Sequence, residues 1–291
     1  MRSKKIVLPA KLSPPRLANA VDRERLFAWL DAQRHHAAVW VSGTPGAGKT
    51  MLLASYCNAR KRRCLWYRFD TDDNDIGQFF SMLGQAIDAL HIHASRPAFA
   101  VEHLSRPREF ARSWFRAVFS SMPRPFTLVF DNLEHAALPA LPDLLIALID
   151  ELPDGITAMM TSRHAPPSEL TAAVMAGTLT VLHGTALEFN LSEATDYARA
   201  FGLDEAAVGI AAQRVRGWAS GLRILGHSET HNDNLHQAAR LAEYFAELFR
   251  VQFDVPGRQL LLTSALLPWI PVELVARLTG VSDAARRLDE L

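Results

Sequence analysis

The chain has 291 residues, 49% of them hydrophobic, with 31 basic and 31 acidic side chains in balance. That balance excludes a global basic field that would gather nucleic acid, and there is no acidic tail. Two cysteines, Cys57 and Cys64, lie outside any Cys-x-x-Cys pair and fit a reduced, cytoplasmic chain better than a disulfide scaffold.

The opening "MRSKKIVLPAKLSPPR" is basic, but its apolar run breaks at Pro9 and Lys11, too early for a signal-peptide core. With Pro9, Pro14 and Pro15, residues 1–20 are predicted to form an extended arm. A helix follows in "DRERLFAWLDAQR", then a buried strand in "AAVWVSG". The next helix starts near Gly48 and carries Leu52, Leu53 and Tyr56. "CLWYRFD" is the second strand, and Asn74 or Asp75 caps the helix "IGQFFSMLGQAIDAL". "REFARSWFRAVFSSM" has helical spacing, while "FTLVFDN", "ITAMMTSR" and "LTVLHGTALEF" are the third to fifth strands. "LPALPDLLIALIDELP" is interrupted by Pro142, Asp143 and Asp150 and is no membrane span.

Strands alternating with helices predict an α/β fold with a five-stranded parallel sheet covered on both faces. From about Leu187 the pattern is helical only. Asn190 and Glu193 form a capping box before "ATDYARAF", and further helical groups span 205–226 and 236–253. "GRQLLLTSALLPWIPVELVARLTGVSDAARRLDEL" gives three short helices, with junctions at Pro268, Pro271 and Gly280. The expected divisions are an arm (1–20), a nucleotide-binding domain (21–187), a helical domain (188–235) and a final, truncated domain (236–291). The last helix carries no stop signal, so the chain is expected to be a fragment.

"GTPGAGKT", Gly43 to Thr50, matches G-x-x-x-x-G-K-[ST] between a predicted strand and a predicted helix, the context of a P-loop. A triphosphate needs many donors at close range. Glycines let backbone N–H groups converge, and the helix N-terminus adds partial positive charge. Gly43, Thr44, Pro45, Gly46, Ala47, Gly48, Lys49, Thr50 and Met51 are the expected phosphate-binding residues, with Lys49 on the β- and γ-phosphates and Thr50 on Mg²⁺. Asp131, at the end of "TLVFDN", is the expected metal-side acid. Many hydrolytic P-loop proteins place a second acid next to it, but here stands Asn132, whose amide cannot act as a base. Glu134 is the nearby substitute. Tight binding and slow turnover are expected. Arg163, ending "ITAMMTSR", would face the ligand crevice and read the γ-phosphate.

Other candidates carry less. "DTDDNDIG", Asp70 to Gly77, has Asp75 where a calcium loop needs Gly and Ser81 where it needs Glu, so a solvated turn is expected. His227 and His231 are four apart, without the Glu of a zinc protease. "RKRRC", Arg60 to Cys64, reads as a solvated helix end.

With these residues in place, the chain resembles the N-terminal ATPase module of MalT-like large ATP-binding regulators, in the STAND class of P-loop ATPases. Many members of that group carry a LuxR-type DNA-binding domain downstream. The resemblance rests on "PPRLANAVDRERL", "VSGTPGAGKTMLLASY", "LWYRFDTDDND", "LVFDN", "TSRHAPP", "RVRGWASGL", "LAEYFAELF" and "LLLTSALL". It implies Val21 and Arg23 beside adenine and ribose, Gly221 and Leu222 on the same side, a winged-helix domain from 236, and ATP or ADP with Mg²⁺. It also implies sensor and effector domains elsewhere in the polypeptide and leaves self-association on activation open. DNA binding is not expected of these residues. Two departures matter: Asn132 stands where the family usually has a second aspartate, and Arg223 stands where related proteins often have Pro. A nucleotide-operated switch is the leading function, a fast motor or phosphotransferase the second, and a nucleotide-dead scaffold the third.

Overall fold

A computed structural model of the chain describes residues 9–17, 20–33, 35–226, 234–265 and 270–289. It divides into two compact units, Met1–Arg223 and Ile224–Leu291.

The first unit is built from α1 (Glu24–Ala32), β1 (Ala38–Ser42), α2 (Lys49–Ala59), β2 (Cys64–Arg68), α3 (Ile76–Ala89), α4 (Pro107–Phe119), β3 (Phe126–Asp131), α5 (Leu141–Glu151), β4 (Ile156–Ser162), α6 (Thr171–Met175), β5 (Leu179–Leu182), α7 (Leu191–Phe201) and α8 (Glu205–Arg214). α9 (Ala219–Gly226) begins in it. The five strands form one sheet in the order β2-β3-β4-β1-β5, and every pairing is parallel. The expected α/β architecture is therefore present.

Every residue of β1 and β3 is buried, as expected for strands covered on both faces. Their side chains alternate between two cores. Trp40, Leu128 and Phe130 join Phe79, Phe80, Trp114 and Leu148 from α3, α4 and α5. Val39, Val41 and Val129 join Phe27 and Leu30 from α1 and Leu53 and Tyr56 from α2. This period-two division is the reason the strands are apolar along their whole length.

Local signals set the helix starts. The Asp75 carboxylate accepts from the Gln78 N–H and caps α3. Asn190 and Glu193 form the reciprocal capping box of α7.

Four expectations are modified. The fifth strand is only four residues long, and Gly184–Leu187 form a 3-10 turn instead. The chain there crosses the end of β1 so closely that a Cβ on Gly184 would lie 3.1 Å from the Gly43 Cα. The N-terminal arm is docked where it is described: Leu12 is buried, and Lys11 reaches Asp70 and Asp73. The acidic turn is solvated in part: Asp72, Asn74 and Asp75 are exposed, whereas Asp73 is buried beneath that lysine and Tyr67. Similarly, Arg60 of the basic run pairs with Glu24 and Asp31.

The second unit holds α10 (Asn234–Gln252), α11 (Val255–Ser264), α12 (Val272–Thr279) and α13 (Ala284–Asp289), with Leu260, Val275 and Ala284 in a small core. His227, His231 and Pro268 lie outside the described residues.

Candidate functional site

The glycine-rich loop joins β1 to α2 at the C-terminal edge of the sheet. Gly46 (φ +72°) and Gly48 (φ +90°) sit in the left-handed region, which glycine enters without strain. α2 begins at Lys49, so the N–H groups of its first turn lack intrahelical partners and are available to an anion. The Lys49 ammonium is buried and donates to the carbonyls of Gly43 (2.6 Å) and Thr44 (3.2 Å). Burial pushes its pKa below the ordinary lysine value; the Glu134 carboxylate opposes that, and the Arg163 guanidinium adds to it.

Asp131 ends β3 with no solvent exposure. Its Oδ1 accepts from the Thr50 hydroxyl (2.8 Å) and the Thr161 hydroxyl (2.7 Å). Its Oδ2 is buried without a hydrogen-bond partner. Burial pushes this carboxyl up, and the two hydroxyls pull against it. An unmatched buried carboxylate oxygen is costly, and a cation would satisfy it. Thr50 and Asp131 offer oxygen donors only, the set that suits Mg²⁺, which keeps several waters and takes the rest of its shell from phosphate. Among the described residues no cluster of three or more His, Cys, Asp or Glu could hold a metal by itself.

Past Asp131 the backbone of Asn132 turns into the left-handed region (φ +61°), a conformation in which Asn is enriched. The Asn132 N–H donates to Thr161 Oγ1 (2.9 Å), and the 3-10 turn Leu133–His135 follows. That turn brings Glu134 to Arg163, with Oε1 3.0 Å from Nε. Glu134 Oε2 is buried and unpartnered. Arg163 Nη2 also lies 3.5 Å from His135 Nε2. The structure thus gathers the loop, Lys49, Thr50, Asp131, Glu134 and Arg163 at one edge of the sheet.

The residues expected beside adenine and ribose have packing or hydrogen-bonding roles within the chain. Val21 is half-buried. Arg23 is engaged elsewhere: its guanidinium donates to Glu193 Oε2 (2.8 Å), Leu187 O (2.7 Å) and Glu188 O (2.9 Å), and stacks 4.0 Å above the Phe189 ring. It ties the lead-in to the start of α7. Gly221 is a packing position, since a Cβ there would lie 2.5 Å from Trp218. Leu222 is fully buried.

Three contributors escaped the sequence reading. Thr161 joins Asp131 to the Asn132 backbone, a role visible only once β3 and β4 are known to be neighbours. The Trp218 indole N–H donates to Pro45 O (3.0 Å), and the Ser220 N–H donates to Gly46 O (3.0 Å). These bonds attach the start of α9 to the glycine-rich loop. Trp218 lies in "RVRGWASGL", so the family pattern carried a hint of it.

Comparison with known proteins agrees with this geometry. The family described as Nephrocystin 3, N-terminal, matches residues 18–163. The HTH-type transcriptional regulator MalT of Cronobacter sakazakii is 29% identical over 306 aligned positions, covering 98% of this chain and 33% of the relative. The chain therefore spans about a third of that curated relative's length. The Walker-type ATPase of Pyrococcus abyssi shares the fold, with a TM-score of 0.53 and 13% identity, covering 94% of this chain and 92% of its own. No helix among the described residues is long and apolar enough to cross a membrane.

Proposed function

The chain belongs to the Nephrocystin 3 N-terminal family, and from that premise and the loop geometry we propose that it is a nucleotide-operated switch, the ATPase module of a MalT-like transcriptional regulator. One observation carries the reading. At the end of the glycine-rich loop, the Thr50 hydroxyl and a buried carboxylate with one unmatched oxygen stand together. That arrangement is costly unless a cation with attached phosphate completes it.

In this mechanism the backbone N–H groups of the loop between Gly43 and Met51, except at Pro45, which has none, wrap the phosphates, and Lys49 leaves the loop carbonyls to bind the β- and γ-phosphates. Thr50 and Asp131 would hold Mg²⁺, which would supply neutralisation of charge on the phosphates. Arg163 distinguishes ATP from ADP. Trp218 and Ser220 connect the loop to α9, so phosphate occupancy is felt beyond the sheet. Hydrolysis is slow because Asn132 offers no base and Glu134 is engaged by Arg163.

Moving a two-state equilibrium from 1% to 99% takes about 5.5 kcal/mol of differential affinity. Nucleotide exchange alone does not reach that, so an inducer acting through sensor and effector parts elsewhere in the polypeptide is part of the proposal. So are a cytoplasmic location and the absence of direct nucleic-acid contact by these residues. A fast motor or phosphotransferase would need a free water-activating acid, and a dead scaffold would have no use for Lys49, Thr50 and Asp131 together.

Thermal unfolding tests the reading. Nucleotide at 100 times its dissociation constant stabilises by about 2.7 kcal/mol. A clear upshift with Mg·ATP or Mg·ADP is expected, and Lys49→Ala should abolish it; an undiminished shift in that variant would refute the site.

A further inference from the structure

We infer that Cys57 and Cys64 are a peroxide-reactive thiol pair, which oxidation closes into a disulfide that fastens the end of α2 to β2 and weakens nucleotide binding at the other end of that helix. The thiol chemistry is independent of the nucleotide site; only the effect on binding rests on the function proposed above.

The backbone brings the two cysteines together. α2 closes in a tight reversal, in which Lys61 enters the left-handed region (φ +48°). The Lys61 N–H donates to Asn58 O (3.1 Å) and the Arg62 N–H to Cys57 O (2.8 Å), the bond pair of a Schellman motif. The chain then enters β2, whose first residue is Cys64. The Thr127 N–H donates to Arg63 O (3.0 Å), so β2 is anchored to the sheet from its start. Cys64 packs against the core that contains Cys57, and the two thiols are hydrogen-bonded to each other. Both are free thiols, Cys57 buried and Cys64 half-buried.

Their surroundings give the two sulfurs different roles. The Cys57 thiol donates to the Cys64 sulfur, which holds the Cys64 pKa below the ordinary thiol value although burial opposes it. The same bond, together with burial, pushes Cys57 up. Cys64 is therefore the reachable, thiolate-forming member, and Cys57 is the resolving one. A third group stands beside them. Thr127 of β3 is the register partner of Cys64, so both side chains project from one face of the sheet. Thr127 is fully buried, and its hydroxyl has no hydrogen-bond partner. Leaving it so is costly, and an oxygen carried on Cys64 would relieve that cost.

The reactant class is a hydroperoxide. The Cys64 thiolate, its proton lost to solvent, attacks the terminal peroxide oxygen. The O–O bond breaks, its electron pair leaves on the alkoxide, and the alkoxide takes up a proton from solvent. Cys64 is now a sulfenic acid. The Cys57 sulfur attacks the Cys64 sulfur, the S–O bond breaks, and hydroxide leaves with the Cys57 proton as water. Two thiols are oxidised to one disulfide, and the peroxide is reduced to an alcohol and water. A dithiol reverses the closure. Cys57 lies eight positions after Lys49 on α2, about 12 Å along the helix axis. A bridge there limits how the helix that carries Lys49 and Thr50 adjusts to bound phosphate.

The test treats the reduced 291-residue chain with hydrogen peroxide, then counts free thiols and maps them by peptide mass spectrometry. Both thiols should be lost together to an internal Cys57–Cys64 bridge and return with dithiothreitol. The dissociation constant for Mg·ADP should rise about fivefold on bridging and fall back on reduction. Cys57→Ser should stop at a sulfenic acid on Cys64 that dimedone traps, and Thr127→Val should slow that trapping about tenfold. Cys64→Ser should leave Cys57 unmodified. Bridges between chains instead of within one, or dimedone on Cys57 instead of Cys64, would overturn the thiol pair, and both readings of the unaltered chain hold even where a variant fails to fold. Equal Mg·ADP affinity in the reduced and bridged chains would overturn the coupling. Failure of the reduced chain to bind Mg·ADP at all would fall on the nucleotide site and leave an observed internal bridge standing.

Discussion

Asp73 and Asp131 lie beyond or at the ends of adjacent strands, are 1% and 0% exposed, and differ in almost everything else. Both Asp73 oxygens accept from Lys11 (2.9 Å). Oδ1 also accepts from the Tyr67 hydroxyl (2.6 Å), and Oδ2 from the Asp70 N–H (2.9 Å). Asp131 receives two hydroxyls on one oxygen and nothing on the other. Equal burial therefore marks opposite roles. A carboxylate whose hydrogen-bonding capacity is filled by its own chain holds the fold together. One left half-filled waits for something from outside.

Mutation can break this contrast. The largest effect is expected at Asp73→Ala, which takes one of its two carboxylate partners from a largely buried lysine and leaves the Tyr67 hydroxyl without its acceptor. A loss of about 3–5 kcal/mol in denaturant unfolding should result, with the thermal shift on adding Mg·nucleotide retained. Asp131→Asn should do the reverse. Stability of the nucleotide-free protein should change by less than about 1 kcal/mol, because the desolvated charge is removed along with its bonds. The stabilisation by saturating Mg·nucleotide, about 2.7 kcal/mol at 100 times the dissociation constant, should be lost. If Asp131→Asn instead unfolded the chain and Asp73→Ala spared it, the distinction would be inverted.

Thr161→Val sharpens the comparison by taking one of the two hydroxyls from Asp131. About 1.5–2 kcal/mol of destabilisation is expected, as for a hydrogen bond to a charged group, together with weaker Mg²⁺ dependence of nucleotide binding. The smallest effect concerns Glu193, a buried carboxylate filled in the manner of Asp73. Burial pushes its carboxyl up, but the Arg23 and Arg25 guanidiniums outweigh this and hold it below the usual 4.5. A depressed folded value means that the stabilisation is complete above about pH 4.5 and is lost as pH falls through the lowered folded value. Thermal midpoints measured from pH 7 down to pH 3 should fall more steeply for the unaltered chain than for Glu193→Gln.

Much of the site was legible because its signals are local. The glycine spacing, Lys49, Thr50 and the acid ending an apolar strand lie within short windows, as do the Asp75 cap and the Asn190–Glu193 box. What escaped is long-range. Strand order was not fixed by the pattern, so Thr161 could not be put beside Asp131. Asp73 read as solvated like the rest of its turn because Lys11, which covers it, is 62 positions away. Arg23 was assigned to the ligand by family pattern, while its partner Glu193 was understood only as a cap. The fifth strand was drawn too long because alternation continues past Leu182, whereas Gly184 exists to let two backbones touch.

The bond from Trp218 to Pro45 has an optical consequence. An indole whose N–H is fixed to a carbonyl of the glycine-rich loop is a built-in fluorophore for that loop. Anything that polarises the Pro45 and Gly46 peptides is relayed along the hydrogen-bond chain to the ring. The emission difference between the unaltered chain and Trp218→Phe then isolates this one chromophore from the other tryptophans. It gives a label-free, real-time record of the loop filling and emptying.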